Sequence, residues 1–233
     1  VNASHTARER VRAELTREIT EAARRQLATE GAAGLSLRAV ARELGMVSSA
    51  VYRYFRSRDD LLTALIIDGY NAVGAAAEKA DGGCRRTDHA GRWLAACRAV
   101  RAWALAHPHE YALVYGSPVP GYQAPQQTVG PASRVAAVFG MIISDAFQAG
   151  VLNPPTFCPP PPGSFTRDAG RLREALLTAV PDDVVARALA VWAGVFGMVS
   201  FELFGQFENV ITERAAYFDY TVDCLGHMIG LPA

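Results

Sequence analysis

Residues Gly34–Leu62 read GLSLRAVARELGMVSSAVYRYFRSRDDLL, and the fold class turns on how this stretch divides. Ser36 is a good N-cap for LRAVAREL, in which Leu37, Val40, Ala41 and Leu44 share one helical face. Gly45 ends that helix, and Gly45-Met46-Val47 forms a turn. Ser48 then caps a third short helix, SSAVYRYF, with Val51 and Phe55 four residues apart on its inner side. Ser57 and Asp60 make a capping-box pattern for a fourth helix carrying Leu61, Leu62, Leu65 and Ile66. Upstream, Val11, Leu15, Ile19, Ala22, Ala23 and Leu27 recur at spacings of three and four, a single buried stripe that Gly31 can stop. Two short helices joined by a Gly-containing turn are the signature of a helix-turn-helix, and a helix has the right width for a DNA major groove. Ser48–Phe55 is therefore the candidate recognition helix, with Ser48, Ser49, Ala50, Tyr52, Arg53 and Tyr54 outward.

Charge supports that reading by its distribution, since the formal net charge of the 233 residues is zero. Residues 1–60 hold eleven arginines against eight acids, and the rest of the chain holds twelve basic residues against fifteen acids. The positive excess sits where a phosphate-binding surface needs it.

The quoted stretch resembles the DNA-binding module of the tetracycline-repressor-like (TetR) family, which typically ends in a segment similar to LYxHFxSKxxLL. Here that segment is Val51-Tyr52-Arg53-Tyr54-Phe55-Arg56-Ser57-Arg58-Asp59-Asp60-Leu61-Leu62, with Tyr54 in place of a common His and Arg58 in place of the usual Lys. The resemblance implies that Ser36 bonds a phosphate of operator DNA and that Tyr52, Tyr54 and Arg58 clamp the backbone. It places Ser48, Ser49, Ala50 and Arg53 at base edges, in line with the division between phosphate contacts that set register and base contacts that set sequence choice.

The remaining chain reads as more helix. A long one is expected from His89 to Ala106, Pro108 forces a break, and HPHEYALVYG makes a short helix ended by Gly116. RVAAVFGMIISDAFQAG is helical with Gly150 as its stop, and NPPTFCPPPPGSF is an extended, polyproline-like surface loop. Arg171–Val180 forms a short helix, Asp182 or Asp183 caps a long one running to about Glu208, and Thr212 opens the last, reaching Met228. The segments HPHEYALVYGSPVPGYQAP and VWAGVFGMVSFELFGQF resemble a TetR subgroup whose later segment often reads Trp-x-x-x-His-Gly, with Phe196 standing here at the His.

These readings give an all-α chain: residues 1–58 as a three-helix helix-turn-helix DNA-binding domain, and residues 59–233 as a larger helical ligand-binding and dimerisation domain. VWAGVFGMVSFELFGQF is apolar nearly all round, so one side meets its own core and another a second copy, which predicts a homodimer through the last two long helices. The family's pocket implies a small apolar effector ligand, with Trp103, Tyr111, Phe139, Phe147, Trp192 and Phe196 as candidate lining residues. Asp145 and Glu202 sit among apolar neighbours, either as polar anchors or at solvated or interface positions.

No catalytic motif is found: no GxSxG elbow, P-loop, dinucleotide fingerprint or HExxH, and His107 and His109 lack matching metal-ligand spacing. The expectation is a non-enzyme without cofactor or metal. Cys84, Cys97, Cys158 and Cys224 lie far apart and are expected to stay reduced. The stretch from Ala188 to Phe204 is interrupted by Gly194, Gly197 and Glu202, so no membrane span is expected, and the charged start VNASHTARERVR points to the cytoplasm. The function expected is a ligand-responsive DNA-binding transcriptional regulator, a repressor released by a small apolar molecule. The alternative is an ungated DNA-binding regulator or activator.

Overall fold

The computed structural model describes residues 2–153, 155 and 158–232, with side chains from residue 7 onward. Its described residues are all-α, as the sequence implies: α1 Asn2–Gly34, α2 Leu37–Glu43, α3 Ser48–Tyr52, α4 Arg58–Gly82, α5 His89–Ala106, α6 Pro108–Tyr115, α7 Val129–Gln148, α8 Thr166–Ala175, α9 Asp182–Leu203 and α10 Arg214–Ile229. The helices form two compact units. One holds the residues up to Tyr70 together with His107–Pro131, the other Asn71–Ala106 and everything from Ala132. The division falls inside α4 and assigns α6 to the first unit, so it does not follow the 58/59 boundary drawn from the sequence.

In the first unit the periodic stripes meet in one core: Ile19, Ala22 and Ala23 of α1, Leu37, Val40 and Ala41 of α2, Val51 and Phe55, and Leu61, Leu62, Leu65 and Ile66 of α4. Gly31, at φ +69°, interrupts α1 where a stop was expected, and one further turn follows to Gly34. Ser36 caps α2 by accepting the Ala39 N–H at 3.4 Å, while its own N–H donates to the buried Gln26 Oε1 at 2.7 Å. Ser57 Oγ accepts the Asp60 N–H at 3.0 Å. Ser48 is not the cap of α3. Val47 holds that position without a side-chain bond, and the helix is only five residues long.

Pro108 both breaks the chain and starts α6 from its first position, where a missing N–H costs nothing. α6 packs against α1, with Tyr111 fully buried. The Tyr70 hydroxyl donates to Val114 O at 2.9 Å, and the Thr63 and Tyr122 hydroxyls share a bond of 2.8 Å. These bonds tie α6 and the segment after it to α4, a link that local patterning does not reveal.

In the second unit α9 packs on α5, α8 and α10, and α5 on α10. The Trp93 indole N–H donates to Val222 O at 2.8 Å, and Arg101 forms a two-pronged pair with Glu202 at 2.7 and 2.6 Å. α9 ends at Leu203, short of the expected Glu208, because Gly205 (φ +85°) and Asn209 (φ +59°) adopt left-handed backbone there. Neither Asp182 nor Asp183 caps α9: Pro181 is its N-cap, while Asp182 pairs with Arg173 at 2.8 Å and Asp183 with Arg187 at 2.7 Å. α8 starts five residues before the expected Arg171 and α10 two after Thr212. Residues 154, 156 and 157 of the proline-rich loop lie outside the described residues. By length and composition alone α9 could cross a membrane, against the sequence reading, although 44% of its apolar stretch is buried within the protein.

Candidate DNA interface and effector cavity

α3 turns Val51 inward and leaves Ser49, Tyr52 and Arg53 exposed, with Ser48 and Ala50 half-buried. Ser48, Ser49 and Ala50 of the residues read as base-facing thus lie in this short helix, and Arg53 is its C-cap. Ser36 stands half-buried at the start of α2. The sequence reading missed Arg38, Arg42 and Arg56, which are exposed and, like Arg53, make no ion pair among the described residues. The i, i+4 spacing of Arg38 and Arg42, opposite the apolar face of α2, was the signal available. Four uncommitted guanidiniums on and beside a helix-turn-helix supply fork-shaped donors suited to phosphate and guanine.

The two remaining family-implied residues are placed differently. The half-buried Tyr54 packs against the core of the unit, with the Arg12 guanidinium 5.3 Å from its ring centroid. Arg58 donates to the carbonyls of Ala32 (2.7 Å), Ala33 (3.3 Å) and Leu35 (3.2 Å), and lies 3.7 Å from Asp59. It satisfies orphan carbonyls at the end of α1 and the entry to α2, so its hydrogen-bonding capacity is largely spent within the fold.

In the second unit, α5, α7, α8 and α9 line a half-open apolar cavity of about 170 Å³. Trp93, Phe139 and Trp192 supply its aromatic walls; Ile143, Leu172 and Leu176 are among the aliphatic ones. Trp93 and Phe139 pack with ring centroids 4.8 Å apart. Of the six aromatics expected at a pocket, Phe139 and Trp192 line this one. Trp103 and Phe196 are buried elsewhere in the unit, Phe196 with its ring 5.3 Å from that of Trp192. Phe147 is exposed, and Tyr111 is buried in the first unit. Neither Asp145 nor Glu202 anchors the cavity: Asp145 pairs with Arg92 and Glu202 with Arg101.

Known proteins match this chain at both ends. Residues 19–65 match the family described as bacterial regulatory proteins, tetR family, and residues 93–225 match the tetracyclin repressor-like C-terminal domain. The HTH-type transcriptional regulator Rv1816 of Mycobacterium tuberculosis is 42% identical over 219 residues, 91% of this chain and 89% of that protein. The crystal structure of SCO4313 aligns with a TM-score of 0.74 at 35% identity, covering 93% of this chain and 97% of that one. A tetR-family regulatory protein from Rhodococcus RHA1, 19% identical with a TM-score of 0.64 and covering 94% of this chain and 98% of that one, shares the fold. A helix-turn-helix with uncommitted arginines, inside a chain that matches these regulators almost end to end, belongs to the TetR family and is a DNA-binding transcriptional regulator.

Proposed function

We propose that the protein is a cytoplasmic homodimeric repressor that leaves its operator when a small apolar molecule enters the cavity among α5, α7, α8 and α9. The observation that carries this reading is the cavity itself. Its volume is close to the ~150 Å³ of an engineered apolar cavity that binds benzene. The fitting effector is a monocyclic aromatic or short-chain molecule held by shape and dispersion, because the walls offer scarcely any polar surface.

In this reading Ser48, Ser49, Ala50 and Arg53 face base edges, and Ser36, Tyr52, Arg38, Arg42 and Arg56 meet phosphates. Tyr54 and Arg58 act through the fold. A dimer accounts for the apolar surface of α9, α10 and the turn between them, where Trp192, Phe201, Phe204, Tyr217 and Tyr220 are exposed. Each recognition helix then meets one half-site of a two-fold operator, with centres about one helical turn or a multiple apart.

Ligand releases DNA only by favouring a state in which the two helices no longer match that spacing, so coupling is reciprocal and is expected to be about 5- to 150-fold. The test is a labelled operator, selected from genomic fragments, titrated with benzene, toluene and indole while dimer mass is followed. Release by one of these supports the repressor. Tight operator binding with no apolar probe bound would leave an ungated regulator.

A further inference from the structure

The buried face of α1 changes chemistry along its length. Ile19 is fully buried and Leu15 half-buried; three and seven residues before Leu15, on the same face, stand Arg12 and Arg8, both exposed. One helical face is thus apolar over the core of the first unit and basic where the helix runs past it. At 1.5 Å per residue, Arg8 stands about 10 Å beyond Leu15 along the helix.

The contact made by Arg12 shows where this overhang points. Its guanidinium lies 5.3 Å from the ring centroid of Tyr54, just past the end of α3. Tyr54 follows the exposed Arg53 in the chain, and the exposed Arg56 is two residues on. A guanidinium over a ring keeps its N–H edge open, and Arg12 donates no side-chain hydrogen bond among the described residues. Arg8, one turn further out, makes neither hydrogen bond nor ion pair among them. The nearby acids leave both charges standing. Glu9 lies on a different face from Arg8 and is itself engaged, and Glu14 pairs with Arg17.

Charge complementarity and continuity with the helix-turn-helix surface name the partner. A duplex lying against α3 brings a line of phosphates to that edge of the unit. We infer that Arg8 and Arg12 grip operator phosphates next to those met around α3, so that the overhang of α1 is a second part of the DNA interface. This rests on α3 as the helix that enters the groove, and not on the effector or its cavity.

The test titrates a labelled operator duplex with the full chain and with Arg8→Gln, Arg12→Gln and Arg10→Gln, between about 50 and 200 mM sodium chloride. Arg10 is exposed and without an ion pair among the described residues on the opposite face of α1, so its variant makes the same change in charge without the contact. Arg8→Gln and Arg12→Gln should each lower the log–log salt slope by roughly 0.9 per chain, and together weaken binding about tenfold or more. Base-pair preference and Tm should stay as in the parent, and Arg10→Gln should barely move the slope. Replacing single operator linkages by uncharged methylphosphonate should weaken the parent at a few linkages to which the double variant Arg8→Gln, Arg12→Gln is indifferent. Equal slopes for all three single variants, or a double variant as sensitive as the parent at every linkage, would overturn the inference. Arg53→Ala, run alongside, reads the recognition helix separately. Altered base preference there with an unmoved slope in the double variant overturns this inference alone; unaltered preference overturns both.

Discussion

Four arginines on and beside α2 and α3 and five of the larger unit are the same side chain in opposite employment. Arg38, Arg42, Arg53 and Arg56 are exposed and meet no carboxylate among the described residues. Arg98, Arg101, Arg134 and Arg187 each hold one and Arg92 holds two, at 2.6–2.7 Å. A guanidinium paired inside the chain contributes to the fold. One left unpaired on a narrow helical surface stays available to an outside anion. A formal net charge of zero conceals this difference, which lies in where the partners are.

The comparison can be broken at its strongest point. Arg92→Met removes a fully buried guanidinium, leaves Asp81, itself 4% exposed, to Arg86 alone and deprives Asp145 of its partner. The expected loss is about 3 kcal/mol of stability, the lower end for breaking a buried pair because Arg86 still compensates Asp81, read from the denaturant midpoint, with operator affinity of the folded fraction unchanged. A midpoint that hardly moves would show that pairing in this unit is incidental.

The unpaired class is tested next. Arg53→Ala should cost about 1–3 kcal/mol of operator binding and relax preference at particular base pairs. The double variant Arg38→Ala, Arg42→Ala should weaken binding to all sequences alike and flatten the salt dependence by roughly 0.9 per lost phosphate contact. Thermal midpoints should stay near that of the parent, and a large drop would move these residues into the structural class.

Arg58 sharpens the boundary between the classes. Arg58→Ala should lose about 1–2 kcal/mol of stability as the carbonyls of α1 lose their donor, and should leave the salt dependence intact. An unmoved midpoint with a flattened salt slope would assign the side chain to phosphate instead.

The smallest effect belongs to the exposed Arg98–Asp219 pair between α5 and α10. Hydrogen bonding from Arg98 holds the Asp219 carboxyl below its ordinary range. A lowered folded-state pKa means stability that is present at neutral pH and lost as pH falls through the carboxylate range. Asp219→Asn should therefore cost about 0.2–1 kcal/mol near pH 7, and the gap from the parent in urea titrations should close on acidification.

Much of this was legible in the residues, for a physical reason. Apolar spacing reports which face of a helix is buried, so the stripes of α1, α2 and α4 and the bounds of α5 could be read directly. Spacing does not report what covers that face. Tyr111 was expected at the pocket, yet it is buried in the helix-turn-helix unit, while Trp93, not among the expected lining residues, walls the cavity. Side-chain competition was equally hidden: Asp182 and Asp183 suit an N-cap until Arg173 and Arg187 claim them. The uncommitted arginines of α2 were overlooked because an exposed Arg looks alike in sequence whether or not a carboxylate lies across the fold.

The three carbonyls gathered by Arg58 bear on how genetics would read this protein. In a cell carrying one altered and one normal copy, a chain lacking Arg53 still folds, pairs with the normal chain in the proposed dimer and spoils it, so its defect is dominant. A chain lacking Arg58 is short of folded partner to contribute and leaves the normal copy to itself, so its defect is recessive. Dominance, scored without purifying anything, would thus separate the arginine that reads DNA from the one that closes a helix.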